Sequence, residues 1–470
     1  MPSSHSEADG VFARWHWNGT QLVVDNDRYG FYPLFWFRTT DGGVCVSPSL
    51  VALLEHGAPT TFDVDALAVF FRLGYFLGED TPFSAIRVVP PNAVFVWENG
   101  GIECRGRLPA VPDMATISRD DAIDRYIELF ARAMAKRAPA TDNFAVPISG
   151  GRDSRHILLE LHRTGFAPAA CVSAIDNPPD PNVDPEVAVL LCNALGFDLV
   201  VVDQRLSLLD AQLRKNRETH FCANAHGWYL ALADYLNGRF DAVYDGIAGD
   251  VLSQSSFLHA HLDATFRTRD VGAIAGELLA RYGASAAAVQ ALLKGELRRA
   301  ADPQVANQRL AQEVRKHIDA HNPIASFIFW NRTRREIALA PCSLLHGVRH
   351  VHAPYLDHDL FDFMATLPAA MLMDRSFHDA VIARAYPGFA HIPYADNRGA
   401  PRTDDRHVRA RFLAEAARRF ALRKPSTLMK NLVPRARMLV GALSRGRINP
   451  SISPLIMYLD QLESARNGRL

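Results

Sequence analysis

The 470-residue chain lacks any apolar run long enough to cross a bilayer, and its polar first ten residues carry no secretion-signal core. It lacks an excess of either charge: 51 Lys plus Arg offset 51 Asp plus Glu, so no global field draws it to nucleic acid or to a membrane. Cysteine is sparse. Cys45, Cys104, Cys171, Cys192, Cys222 and Cys342 are scattered without a C-x-x-C pair, which argues against a disulfide framework or a metal centre and for a reducing, cytoplasmic compartment. His346, His350, His352 and His358 cluster in sequence, but without zinc-type helical spacing, and read as polar lining or surface. No internal repeat, low-complexity tract or Walker-type Gly-Lys-Ser/Thr loop is present. The length accommodates a substantial core and two domains.

What is present falls into two regimes. From about Val11 to Arg107 the pattern is β-rich: short strands at Trp15 to Trp17, Gln21 to Val24, Pro33 to Phe37 and Val44 to Val46 alternate with Asn- and Gly-bearing turns. Two helices follow at Ser49 to His56 and Val64 to Leu73, then a hairpin of Ala93 to Trp97 with Ile102 to Cys104. A linker near Leu108 to Thr116 with two prolines precedes an amphipathic helix at Arg119 to Lys136. Strands 144–148, 169–174, 198–203 and 242–244 then alternate with helices 155–163 and 186–195, which predicts a parallel sheet covered on both faces. Residues 255–420 read as mostly helical. Pro401 to Pro450 is basic, with thirteen Lys/Arg against three Asp/Glu, and reads either as a solvated helical surface or as a docking site for an acidic partner or nucleic acid.

The chemistry concentrates at Ser149-Gly150-Gly151-Arg152-Asp153-Ser154, between a predicted strand and a predicted helix. Such a turn gathers unpaired N–H groups suited to a phosphate, and two glycines let the backbone approach the anion. Asp153 repels bare phosphate, so its presence there implies an intervening magnesium ion. A strand-to-helix turn capped by Asp or Ser is the ordinary alternative. A second glycine-bearing turn, Tyr244-Asp245-Gly246-Ile247-Ala248-Gly249-Asp250, ends a later strand with another carboxylate. Ligands of parallel sheets bind at the carboxyl ends of the strands, where both turns fall, so Asp153 and Asp250 are expected to share the metal.

Ser149 to Ser154 resembles the pyrophosphate-binding loop (PP-loop) of the ATP pyrophosphatases. The C-terminal two-thirds of the chain is similar to the synthetase domain of the asparagine synthetase family, with its β-lactam synthetases and lasso-peptide macrolactam synthetases. Gly246 to Asp250 resembles that family's Gly-Glu-Gly-Ser/Gly-Asp turn, and Ala353-Pro354-Tyr355-Leu356-Asp357, followed by Leu367-Pro368, its Val-Pro-Phe-Leu-Asp and Leu-Pro. Asp184-Pro185-Glu186 fits the family's acidic segment. Asp27-Arg28-Tyr29-Gly30-Phe31-Tyr32-Pro33-Leu34-Phe35 and Val89-Pro90-Pro91-Asn92-Ala93 look like motifs of its glutaminase domain. The matches span nearly the whole chain in the right order. The resemblance implies an α/β fold: a parallel-sheet synthetase domain of the adenine nucleotide alpha hydrolase type over 116–400, preceded by a degenerate α+β domain from an Ntn-type glutaminase sheet over 1–115. A basic, mostly helical extension over 401–470 completes the expected domains.

The chain also departs from the family. Met1 is followed by Pro2, so the N-terminal cysteine that glutamine hydrolysis requires has no counterpart, and the glutaminase half is expected to be truncated and inactive. Ile247 replaces an acidic residue, Val251 a Glu, and His350-Val351-His352 the usual Glu-x-Arg. The family's late lysine has no clear match; Arg398 is the nearest candidate for its charge, though not for its proton.

The implied reaction is amide formation without glutamine hydrolysis. ATP with Mg2+, held by Asp153 and Asp250, sits with its phosphates on Ser149, Gly150, Gly151, Asp153, Ser154, Gly246 and Gly249, and its adenine near Val172 and Ser173. A small-molecule or peptide carboxylate is adenylated, pyrophosphate leaves, and an amine captures the acyl group. His350 or His352 is the candidate base for that amine. A precursor peptide or a biosynthetic partner protein is the expected macromolecular partner. The alternatives are an ammonia-dependent asparagine synthetase, which Ile247 disfavours, and a non-catalytic nucleotide-binding scaffold, which two converging aspartates disfavour.

Overall fold

The structure is a computed structural model that describes residues 8–110, 112–175, 183–397, 410–412, 414–416, 418–419 and 453–468. The fold is mixed α/β, with two antiparallel sheets in the N-terminal part and one parallel sheet after it. The first antiparallel sheet orders β1 (Ala13–Trp17), β2 (Gln21–Asn26), β6 (Val94–Glu98) and β7 (Gly101–Arg105) side by side. The second orders β4 (Val44–Ser47), β3 (Phe35–Arg38) and β5 (Arg87–Val88). β6 and β7 form the expected hairpin around Asn99-Gly100, both at positive φ, as a tight turn matched to strand twist requires.

The parallel sheet has the order β10 (Leu199–Asp203), β9 (Ala170–Ile175), β8 (Phe144–Pro147), β11 (Ala242–Tyr244), β12 (His350–His352). β8 is central: the chain leaves it first toward β9 and β10 on one side, then returns to β11 and β12 on the other. That reversal puts a crevice above the carboxyl ends of β8 and β11. β12 was not anticipated as a strand; three residues flanked by turns carry too little periodicity to read.

The N-terminal motifs act as joints. Asp27, fully buried, accepts the N–H groups of Tyr29, Phe31 and Tyr32 and folds the Asp-Arg-Tyr-Gly segment into a tight turn. Gly30 (φ +61) lies so close to Pro91 Cα and Arg334 that a Cβ would meet them at 3.0 and 3.1 Å. This turn lays Tyr29 against Phe361 (4.9 Å between ring centroids) and Phe31 against Phe329 (5.4 Å), fusing the second antiparallel sheet to later helices in one core, while the first packs in a smaller cluster around Val24 and Phe95. The helix Ser453–Arg466 joins the same core, with Tyr458 stacked on Phe70 at 4.6 Å. The basic stretch before it lies almost entirely outside the described residues. No helix among the described residues is long and apolar enough to cross a membrane.

Candidate active site

The turn after β8 is held from three sides. Gly150 donates its N–H to Asp184 Oδ1 (2.7 Å) and accepts the Ala395 N–H (3.0 Å). A Cβ on Gly150 would stand 2.5 Å from Ala395 Cβ, so only glycine fits. Arg152 binds Asp379 and Asp396 and lies 4.0 Å over the Tyr394 ring, while Arg155 covers Tyr394 at 4.1 Å and donates to the carbonyls of Ile392 and Pro393. The segment 392–396 is thereby clamped on the turn. Ser149 Oγ takes the Gly151 N–H and Ser154 Oγ takes the Ser149 N–H. The helix Asp153–Arg163 starts there without a side-chain cap, and the N–H groups of residues 152–155 make no hydrogen bond among the described residues. An uncapped helix start with free donors is an anion-binding surface.

Across the crevice the turn after β11 presses on Asp153. A Cβ at Gly246 would meet Asp153 Cβ at 2.9 Å, and one at Gly249 would meet Asp153 Cγ at 2.5 Å. Asp153 Oδ2 accepts the Asp250 N–H at 2.9 Å, whereas the buried Oδ1 has no hydrogen-bond partner. Burial, and after it the negative charge of Asp250, pushes the Asp153 carboxyl well above the usual carboxylate range. Burial also raises Asp250, against the pull of Arg332 and Arg375. Two mutually repelling carboxylates, one with a bare oxygen, fit a divalent cation whose other ligands come from a bound molecule. Among the described residues no cluster of three or more His, Cys, Asp or Glu is arranged to hold a metal unaided.

A buried polar chain backs Asp153. His378 Nδ1 lies 3.0 Å from Ser253 Oγ and 3.4 Å from Asp153 Oδ1. Ser253 gives its hydroxyl proton to the Gly249 carbonyl (2.7 Å), so it accepts from His378 Nδ1–H. His378 Nε2 then accepts from His156 Nδ1–H at 3.1 Å. Burial, with Arg152 nearby, brings His378 down to about 3 and keeps it neutral. Tyr355 Oη binds the Asp153 carbonyl at 3.0 Å, and Asp357 pairs with Lys136 and Arg137, so the Pro-Tyr-Leu-Asp segment supports the turn from below.

The crevice opens into a cleft of about 960 Å³. Ser149, Asp153, Ser154, Ser173, Gly246 and Asp250 line it, as do Asp184 and Asp396. Gly150, Gly151 and Gly249 are neighbours in sequence of these residues but are not themselves part of the cleft wall. Val172 is interior, its carbonyl committed to the Ile148 N–H at 2.8 Å. His350 and His352 are not brought to the cleft. They occupy the edge strand β12, where the His352 ring packs on Tyr244 at 4.8 Å, and neither belongs to the cleft wall. Arg398 lies outside the described residues.

Two cleft residues were missed by sequence reasoning. Arg332 is the one Lys or Arg side chain in the described lining, and His226 the one histidine. Arg332 sits on a helix that runs as α-helix over Pro323–Ile328 and then as π-helix over Phe329–Ile337 and Ala340–Leu344. With i→i+5 winding, Ile328, Arg332, Thr333, Ile337 and Pro341 share the cleft face, a spacing that an α-helical reading does not select.

Residues 3–106 match the glutamine amidotransferase domain family, a span that contains both antiparallel sheets. No curated protein gave a match to the chain. The chain thus combines an N-terminal part like a glutamine amidotransferase domain with an α/β region built on a parallel sheet.

Proposed function

We propose that the protein is an ATP-dependent, AMP-forming carbon–nitrogen ligase that activates a carboxylate for capture by an amine. The observation that carries this reading is the pairing of the free N–H groups of residues 152–155 with the bare Asp153 oxygen and Asp250, at the switch point of a parallel sheet. In this reading the helix start and the hydroxyls of Ser149 and Ser154 bind the terminal phosphates of ATP, and Asp153 and Asp250 hold the magnesium that neutralises them. Ser173, a cleft-lining residue on β9, would line the purine side in the same reading. The substrate carboxylate oxygen forms a bond to the α-phosphorus as the α–β phosphoanhydride breaks, and pyrophosphate carries off the electron pair. The amine then forms the C–N bond, loses a proton, and AMP departs.

The reaction proposed does not draw on a thiol of the N-terminal sheets. Burial pushes the half-buried Cys45 thiol above the ordinary thiol range, the opposite of an activated thiolate. Trapping tests the reading: with MgATP, a pool of monocarboxylic acids and hydroxylamine, the account expects AMP, pyrophosphate and a hydroxamate in equal amounts. ADP and phosphate as products, with no hydroxamate, would contradict it.

A further inference from the structure

The strand order divides the cleft. The turn after β8 and the end of β9 form one side, and the turn after β11 faces the π-helix on the other. The proposed nucleotide uses the first side, and the second is built differently. Its walls are mostly apolar, with Ile247, Val251, Phe257, Ile328 and Ile337, and Asp245, Ser255 and Thr333 set among them. Its one cation is Arg332, whose guanidinium lies 5.4 Å over the Phe257 ring. Nε of Arg332 stands 3.6 Å from Glu336 Oε2, and the guanidinium donates no hydrogen bond among the described residues, leaving both terminal nitrogens open. Glu336 cannot turn to it fully, because its other oxygen holds the N–H groups of Asn224 and Ala225. A half-buried guanidinium fork with open terminal nitrogens, above an aromatic ring, matches a carboxylate attached to an apolar body.

His226 supplies a second contact. Its backbone is at φ +75, and neither ring nitrogen has a hydrogen-bond partner although both are buried. Burial, with Arg332 and Lys215 close by, lowers it to about 3, so the ring stays neutral and carries one N–H that lacks an acceptor. The strained segment is strapped down by the same Glu336 and by Lys215 Nζ, which donates to the carbonyls of Ala223 (2.7 Å) and Asn224 (3.0 Å). A buried donor held in a costly conformation at a cleft wall is the mark of a built contact rather than a chance one.

Building on the ligase reading, we infer that this compartment is the subsite of the acyl substrate, that Arg332 binds its carboxylate, and that the substrate is a monocarboxylate with an aromatic or large aliphatic body. Aspartate fits poorly: its two carboxylates meet one cation, and its side-chain carboxylate faces a mostly apolar wall containing Ile247. A free acid and a peptide C-terminus share the required chemistry.

Ligand-observed NMR on the full-length protein tests the inference directly, with N-acetylphenylalanine, an acetylated tripeptide ending in phenylalanine, and aspartate as probes. The phenylalanine probes should bind the wild type, with aspartate at least ten-fold weaker; whichever phenylalanine probe binds tighter identifies the source, and either supports the class. R332Q should weaken the phenylalanine probes at least ten-fold and change MgATP affinity by a clearly smaller factor, while R332K, which keeps the charge that acts on Asp250, recovers part of the probe affinity and changes MgATP affinity less than two-fold. F257S, away from any helix or strand, provides the same comparison if R332Q does not fold. Preferential binding of aspartate overturns the inference, as does a wild type that binds MgATP but no phenylalanine probe. Loss of MgATP rather than probe affinity in R332Q also overturns it and assigns Arg332 to the phosphates. These outcomes are separate from failure of the ligase reading, which shows as a wild type that does not bind MgATP.

Discussion

Asp153 is pressed on by two glycines, and the contact distances make the packing testable one methyl group at a time. A Cβ at Gly249 meets Asp153 Cγ at 2.5 Å and Oδ1 at 2.6 Å, and the backbone on both sides is fixed. Gly249→Ala should therefore cost about 1–3 kcal/mol of stability through overpacking and should also displace the carboxylate. Denaturant titration and MgATP calorimetry on the same sample read both effects. Gly388, which has no atom within 4 Å of its missing Cβ, provides the control. Its alanine variant should be nearly neutral in both measurements. If the two variants behave alike, the tight turn is not what positions Asp153.

At the level of elements, the segment 219–228 strapped over Lys215 makes a prediction about pH. Lys215 is fully buried in the helix Leu208–Glu218, and desolvation lowers its ammonium from the ordinary lysine range to about 7. Between about pH 7 and the lysine range near 10.4 the unfolded chain then binds more protons than the folded one, so the Lys215 contribution to stability rises with pH across that window. Lys215→Met should flatten that rise in denaturation midpoints taken from pH 7 to 10. An unchanged slope would show that the ammonium stays charged on its two carbonyl acceptors.

Elements also show what the sequence conveys and what it hides. The strands β8, β9 and β11 and the turns after β8 and β11 were legible, because a buried run followed by Gly, Asp and Ser carries local chemistry on its face. The helix after β8 begins at Asp153, two residues earlier than its apolar periodicity indicates, since an uncapped start has no sequence signal. The π-helical winding was hidden. Phe329 to Leu344 reads as ordinary helix, and α-helical spacing does not group Arg332 with Ile337 and Pro341. His226 was hidden for a different reason: a single histidine in a loop gains meaning only from strain and missing partners. His350 and His352 were candidate bases because a histidine titrates near neutral pH, but the edge strand places both elsewhere than the cleft wall.

For the whole molecule, the three-stranded N-terminal sheet and the parallel-sheet region share one core from Tyr29 to Ala465, the four-stranded sheet packs in a smaller cluster around Val24 and Phe95, and a buried arginine joins the N-terminal part to the rest. Arg334 leaves the π-helix to donate to Val89 O at 3.0 Å and Gly78 O at 3.4 Å, beside the turn organised by Asp27. Arg334→Met should cost about 1–3 kcal/mol, because the Val89 carbonyl is left buried without a donor. Calorimetry should still show one cooperative transition at a lower temperature. Separation into two transitions would mean that the parts fold independently and that the shared core does not couple them.

The central claim is that the turns after β8 and β11 make one MgATP site through Asp153 and Asp250. Isothermal titration of MgATP into the wild type and into Asp250→Asn, with folding checked by thermal melting, tests it most directly. The account predicts one binding site per chain in the wild type and at least a ten-fold loss in the variant. A folded wild type that does not bind MgATP, or a variant that binds equally well, would contradict it.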